Sequence, residues 1–148
     1  MTKVRLTKEF DFEMAHALWN YDGPCKNIHG HSYKLFVTVI GQPRDDENHV
    51  KHGMLLDFSD LKKIVNDVIV SKFDHSVVVS SKAPHHMLQR IEQMFEKYEV
   101  VNYQPTCENL VVDFAGRINQ KLPDGVQLHS LKLAETATSF AEWFSSDN

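Results

Sequence analysis

The sequence predicts an α+β fold. Alternating apolar residues mark strands towards both ends, and the middle of the chain carries apolar stripes at helical spacing, so strands bracket the helices. A chain of 148 residues, 42% of them hydrophobic, suits one domain spanning residues 1–148 around a sizeable core. No repeat, low-complexity tract or linker divides it.

Val4, Leu6, Phe10, Phe12, Met14 and His16 share one parity in a run broken only at Lys8, which reads as a first strand with His16 on its apolar face. A second strand follows over residues 32–41, where Tyr33, Leu35, Val37 and Val39 alternate with Ser32, Lys34, Phe36 and Thr38. His29 and His31, two apart at its entrance, then project from one face, and Gly30 between them leaves room for a close approach. His-x-His alone is more often two unremarkable histidines. A third histidine on an apolar strand face changes the odds, because three neutral imidazoles with an open fourth position are the usual setting of a catalytic zinc. Cys25, four residues before His29, is either the fourth ligand of a closed structural site or a free thiol beside the metal.

Residues 41–53, with Pro43 and the run Arg44, Asp45, Asp46, Glu47, read as a hairpin loop in which His49 and His52 are solvated. Residues 54–58 read as a short apolar strand. Asp57 can then accept backbone N–H bonds and start a helix whose stripe is Leu61, Ile64, Val65, Val68 and Ile69, ending near Lys72. Phe73-Asp74-His75 follows. On extended backbone the last two side chains diverge, but on a turn the carboxylate can orient the imidazole for proton transfer.

After the apolar patch of residues 77–79, a helix is expected over residues 84–98, with Pro84 in its first turn, His85 and His86 exposed, and Met87, Leu88, Ile91, Met94, Phe95 and Tyr98 as a core stripe. A third helix opens at Pro105-Thr106-Cys107-Glu108-Asn109. Thr106 caps it, Glu108 suits the positive end of its dipole, and Cys107 is a passive small side chain. Leu110, Val111, Phe114, Ala115, Ile118 and Leu122 form its buried stripe, and Pro123-Asp124-Gly125 ends it. In the last segment Leu131, Leu133 and Glu135 share a face, with Val126 and Leu128 on the other, and residues 137–144 form a final strand with Ala141 and Trp143 on one side. Glu135 is the odd member. A carboxylate after two inward leucines is costly to bury unless something donates to it, such as a ligand presenting two parallel N–H groups.

Composition narrows the partners. Lys and Arg number 16 against 20 Asp and Glu, a formal charge of −4, and no basic stripe suggests nucleic acid. No apolar run is long enough to span a bilayer, and two cysteines make no disulfide framework, which points to a reducing cytoplasm.

His16, Cys25-x-x-x-His29-Gly30-His31, the segment 54–58, Asp74-His75, Pro105-Thr106-x-Glu108-Asn109, and Glu135-Thr136 with Ala141-Glu142-Trp143 occur in the order seen in the 6-pyruvoyl-tetrahydropterin and 6-carboxy-tetrahydropterin synthase family. The chain resembles that family over nearly its whole length. The interval between Cys25 and His29 is similar to that of bacterial 6-carboxy-tetrahydropterin synthases of queuosine and deazapurine biosynthesis; biopterin-pathway synthases tend to have a longer one. Two departures stand out: Phe73 where leucine is commoner, and a longer helical insertion over residues 76–104.

The resemblance implies a tunnelling fold, with a four-stranded antiparallel sheet, helices on one face, three subunits closing a barrel and two trimers stacked as a homohexamer. It implies one zinc per subunit on His16, His29 and His31, with Cys25 as a thiolate base and Asp74 and His75 from a neighbouring subunit as the second proton-transfer pair. Glu135 would anchor the pterin of 7,8-dihydroneopterin triphosphate, with Glu108 and Thr106 beside it. Two rival readings share these residues: a 6-pyruvoyl synthase, and a pterin-binding module whose structural zinc is closed by Cys25.

Overall fold

Unbroken alternation in two long segments produces the centre of the molecule. In the computed structural model, which describes all 148 residues, β1 (Val4–His16) and β2 (His29–Gly41) pair antiparallel along their full lengths, from Val4 opposite Gly41 to His16 opposite His29. Because side chains alternate, Phe10, Phe12 and Met14 share one face with Tyr33, Leu35, Val37 and Val39, and all are buried. At the far end Gly41 is required by space: a Cβ there would lie 2.6 Å from the Gly125 carbonyl oxygen.

Helices cover that face. α1 (Phe58–Val65) starts where the Asp57 carboxylate accepts the Ser59 N–H, continues through one π turn (Asn66–Val70) and ends in α2 (Ser71–Phe73). Its buried residues Leu61, Val65, Ile69 and Phe73 repeat every four positions, slower than an α-helix turns, and the wider π turn absorbs the drift. α4 (Cys107–Asn119), capped by Thr106, whose hydroxyl accepts the Asn109 N–H at 3.2 Å, lays Leu110, Phe114 and Ile118 on the same core. Phe114 meets Phe12 and Phe73 edge-on, with centroids 6.1 and 5.0 Å apart. Burial of this order contributes about 1.5–3 kcal/mol per large side chain.

Four expectations need correction. The sheet has six strands, not four. β5 (Val126–Ala134) and β6 (Phe140–Phe144) extend the antiparallel part beyond β2, while β3 (Ser76–Ser80) and β4 (Tyr98–Val101) add parallel strands beyond β1, giving the order β4-β3-β1-β2-β5-β6.

The segment 76–104 is therefore a strand–helix–strand unit, not a helical insertion. Parallel neighbours need a crossover, and α3 (His85–Met94) is that crossover. It ends before Tyr98, which lies in β4. Pro84 is its N-cap rather than part of its first turn, and none of its residues is buried; Met87 and Met94 are 41% and 70% exposed. His85 and His86 are exposed as expected.

Residues 54–57 form no strand. Lys51 Nζ holds the second Asp57 oxygen at 2.6 Å, which fixes the bend that starts α1, and Phe58 is already helical. Lastly, Val126 and Leu128 share the core with Leu131 and Leu133. The register slips between Thr38 and Val39, leaving His129 unpaired, and this bulge brings both parities onto one face.

Candidate metal centre

The β1–β2 register alone puts three imidazoles together. His16 stands directly opposite His29, and His31 lies two residues further along the same face, at the end where the strands part into the loop of residues 17–28. Ring centroids are 4.5 Å apart for His16 and His29, 5.1 Å for His29 and His31, and 5.4 Å for His16 and His31. Glu135, one residue beyond β5, completes the cluster, and the four donor atoms lie within 4.8 Å of one another.

Hydrogen bonds fix which nitrogens are bare. The Nδ1 of His16 lies 2.6 Å from the Pro105 carbonyl oxygen and that of His29 lies 2.8 Å from the Asn27 carbonyl oxygen. A carbonyl only accepts, so both Nδ1 atoms carry the proton and both Nε2 atoms present lone pairs. Those two Nε2 atoms face each other at 3.0 Å. Two lone pairs at that distance repel, and a cation between them removes the conflict. His31 Nε2 is likewise buried without a hydrogen-bond partner; Glu135 Oε1 is 2.9 Å away but not aligned to bond it. Burial lowers the His16 pKa, only partly offset by the Pro105 carbonyl, so the neutral ligand form is favoured. Histidines held by backbone carbonyls on their second nitrogen are the arrangement metal sites use. The cluster could hold a metal ion.

The other expected site residues fall in three places. Cys25 lies outside the four-residue group, partly buried on a 3-10 turn (Pro24–Lys26) in the loop of residues 17–28. Glu135, not Cys25, occupies the fourth corner.

Asp74 and His75 sit on the turn between α2 and β3. There the Asp74 Oδ1 is 3.0 Å from His75 Nδ1 and also accepts the Glu13 N–H, and His75 adopts φ +60°. Burial works to raise the Asp74 pKa, but the Glu13 N–H and His75 outweigh it and hold the carboxyl below its ordinary range. The His75 imidazole is 75% exposed. A cleft of about 370 Å³ is lined by both His31 and His75, with Glu13, Gly30 and Ser32.

Thr106 spends its hydroxyl on the cap, and Glu108 is exposed in the first turn of α4, outside the histidine group. Cys107 is buried, its thiol donating to the Leu133 carbonyl, and burial pushes its pKa up to about 11. A groove of about 720 Å³ between α1 and α4 contains none of these residues. His49 and His52 stay outside the cluster.

Sequence reasoning missed the parts of the site that are backbone. The Pro105 and Asn27 carbonyls set the tautomers, and any residue type supplies a carbonyl. It also missed the contact of Glu135 with His31, although the shared face of Leu131, Leu133 and Glu135 pointed to that end of the sheet.

A sheet end carrying three imidazoles and a carboxylate, open to a cleft and backed by helices, defines an α+β protein equipped to bind a metal ion. The model of the family 6-pyruvoyl tetrahydropterin synthase matches residues 5–145, and the chain belongs to that family of lyases. A 6-carboxy-5,6,7,8-tetrahydropterin synthase of Haemophilus influenzae is 34% identical over 141 residues, covering 94% of this chain and 97% of the relative. One of Rickettsia typhi is 28% identical, with 94% and 99% covered. Among solved structures, an uncharacterised protein of Wolinella succinogenes superposes with a TM-score of 0.78 at 21% identity over 98% of this chain and 99% of that one. The 6-pyruvoyl tetrahydropterin synthase of Caenorhabditis elegans does so with 0.69 at 21% identity, covering 98% and 97%. The fold is thus the tunnelling fold of these synthases. No helix is long and apolar enough to cross a membrane.

Proposed function

We propose that the chain is a zinc-dependent 6-carboxy-5,6,7,8-tetrahydropterin synthase, which converts 7,8-dihydroneopterin triphosphate and water to 6-carboxytetrahydropterin, acetaldehyde and triphosphate in queuosine (7-deazapurine) biosynthesis in the cytoplasm. The observation that carries the reading is the convergence of the facing, bare Nε2 atoms of His16 and His29 with the unpartnered Nε2 of His31, an arrangement that a cation completes. The nitrogen-rich donor set and its partial exposure suit zinc. The 34% identical relative carries the name of this activity.

In this reading, a divalent ion held by the three histidines supplies Lewis acidity towards the side-chain oxygens of the substrate. Cys25, as thiolate, removes a proton from a side-chain carbon, and the electron pair of that C–H bond reduces the pterin ring, so no outside reductant is needed. His75, oriented by Asp74, returns and relays protons; its exposure suits delivery into a neighbouring subunit's site, within a hexamer built from two barrel-forming trimers. Glu135 holds the two parallel N–H groups of the pterin with the capacity left by its one unaligned contact, and Glu108 and Thr106 assist in binding it.

Turnover of the zinc-loaded protein with 7,8-dihydroneopterin triphosphate, with products identified by mass, tests the reading. Carboxytetrahydropterin with acetaldehyde is expected. Pyruvoyltetrahydropterin would move the protein to the other branch of the family, and tight pterin binding without turnover would make it a binding module.

A further inference from the structure

The loop of residues 17–28 leaves the sheet at His16 and returns at His29, so both of its ends are tied to the histidine cluster. Near its start the loop is also tied to a residue far along the chain, by one side chain. The Gln104 amide uses both of its polar atoms on a single residue: Oε1 accepts the Trp19 N–H at 3.0 Å, and Nε2 donates to the Trp19 carbonyl at 2.7 Å. That is the double bond pattern of a strand pair, made by a side chain. The neighbouring Leu18 N–H donates to the Cys25 carbonyl at 3.0 Å, so the clamp is one residue removed from the bond that holds the cysteine. Gln104 is itself fixed, because its own carbonyl accepts from the Thr106 N–H at 2.7 Å and from Asn109 Nδ2 at 3.0 Å. The next residue, Pro105, supplies the carbonyl that sets the His16 tautomer.

We propose that Gln104 is a positioning residue for Cys25: through Trp19 and Leu18 it sets where the thiol stands relative to the histidine cluster, which Pro105 fixes from the adjacent position. The inference rests on Cys25 acting as the base in the reaction proposed above. A loop held only at its ends could move the thiol without disturbing a single metal ligand, and base catalysis requires the base within hydrogen-bond reach of its proton. The short stretch Gln104-Pro105 thus holds both the loop that carries Cys25 and the histidine cluster at which that loop begins and ends.

The test uses Gln104→Leu, which removes both bonds at similar volume, and Gln104→Glu, which keeps the acceptor for the Trp19 N–H but sets an oxygen against the Trp19 carbonyl. Three readouts are taken on the zinc-loaded protein: amide hydrogen exchange at Trp19 and Leu18, steady-state kinetics, and bound metal. Alkylation by iodoacetamide adds a fourth, and it reads Cys25 because Cys107 is buried. For Gln104→Leu, exchange at Trp19 is expected to speed up about tenfold or more, as loss of two hydrogen bonds implies. The Cys25 alkylation rate should change with it. kcat should fall about tenfold while KM and metal content stay at wild-type values. Gln104→Glu should fall between.

Unchanged exchange and alkylation would overturn the inference, as would faster exchange with unchanged kcat, or a kcat loss matched by metal loss. Cys25→Ala measured alongside separates the two readings: full turnover there would remove the base role of Cys25, whereas an unloosened loop in Gln104→Leu would remove only the clamp.

Discussion

The β1–β2 ladder ends in a polar cluster on either side, and the two clusters differ in completeness. Beyond Gly41, Lys51 lies 2.6 Å from Asp57 and 3.6 Å from Asp60, while Asp57 also accepts the Ser59 N–H and hydroxyl. Every charge there has an opposite or a donor from the chain itself. At the His16–His29 end, two facing acceptor nitrogens, the unpartnered His31 Nε2 and a carboxylate converge, and the chain supplies no cation. The first cluster is a finished helix start. The second is finished only by something that binds.

The largest effect follows from that incompleteness. His16→Ala should reduce bound zinc from one per chain to a small fraction and lower turnover by roughly 10³-fold or more, since it removes both a ligand and the Lewis acid it holds. Metal analysis beside a kinetic assay reads both. Full metal content in His16→Ala would mean that the cluster is not the site. Cys25→Ala sharpens the distinction between the metal group and the loop beside it: zinc should be retained while turnover drops by about 10²–10⁴-fold, the range for loss of a general base. Retention of zinc with full turnover would remove Cys25 from the mechanism.

The histidines are legible in the sequence because their chemistry and their geometry both follow from short-range pattern. His16 sits in phase with Phe12 and Met14, and His29 in phase with His31 and Tyr33, so two strands suffice once they are paired. What decides the rest is longer in range. Nothing local indicates that β3 and β4 lie parallel beside β1, and this pairing turns the apolar stripe of α3 from core into a crossover surface. The His129 bulge depends on how β5 meets β2, so strict alternation assigns Val126 and Leu128 to the wrong face. Residues 54–57 have strand-like side chains, but the Asp57 cap and its Lys51 partner decide their backbone. Glu135 stands out as anomalous in its own segment, yet its neighbour His31 belongs to another strand.

The satisfied end of the ladder predicts a smaller effect, on stability alone. Asp57→Ala removes the cap and the Lys51 partner, so the thermal midpoint should fall by roughly 2–4 °C with kcat unchanged. The pH dependence has a definite sign. The Lys51 ammonium and the Ser59 donors hold the Asp57 carboxyl well below the usual carboxylate value of 3.8, so its contribution is present above about pH 4 and is lost as pH falls through the lower folded-state value. The difference in midpoint between wild type and Asp57→Ala should therefore shrink as pH is lowered from 5 to 2. A constant difference over that range would mean that the carboxylate is not the stabilising group.

The smallest effect concerns apolar groups, where the same test of completeness applies. α4 buries Leu110, Phe114 and Ile118 completely, whereas α3 buries nothing and leaves Met94 70% exposed. Met94→Gln exchanges side chains of similar size on a surface that already faces water. It should change unfolding stability in denaturant by no more than about 0.5 kcal/mol, as for ordinary surface positions. Placing the Gln amide on a covered apolar surface would instead cost about 1–3 kcal/mol, because its polar atoms would be buried without hydrogen-bond partners. A loss in that higher range at Met94 would mean that the α3 stripe is covered in solution by another chain, and the contrast between the two helices would then describe an isolated subunit only.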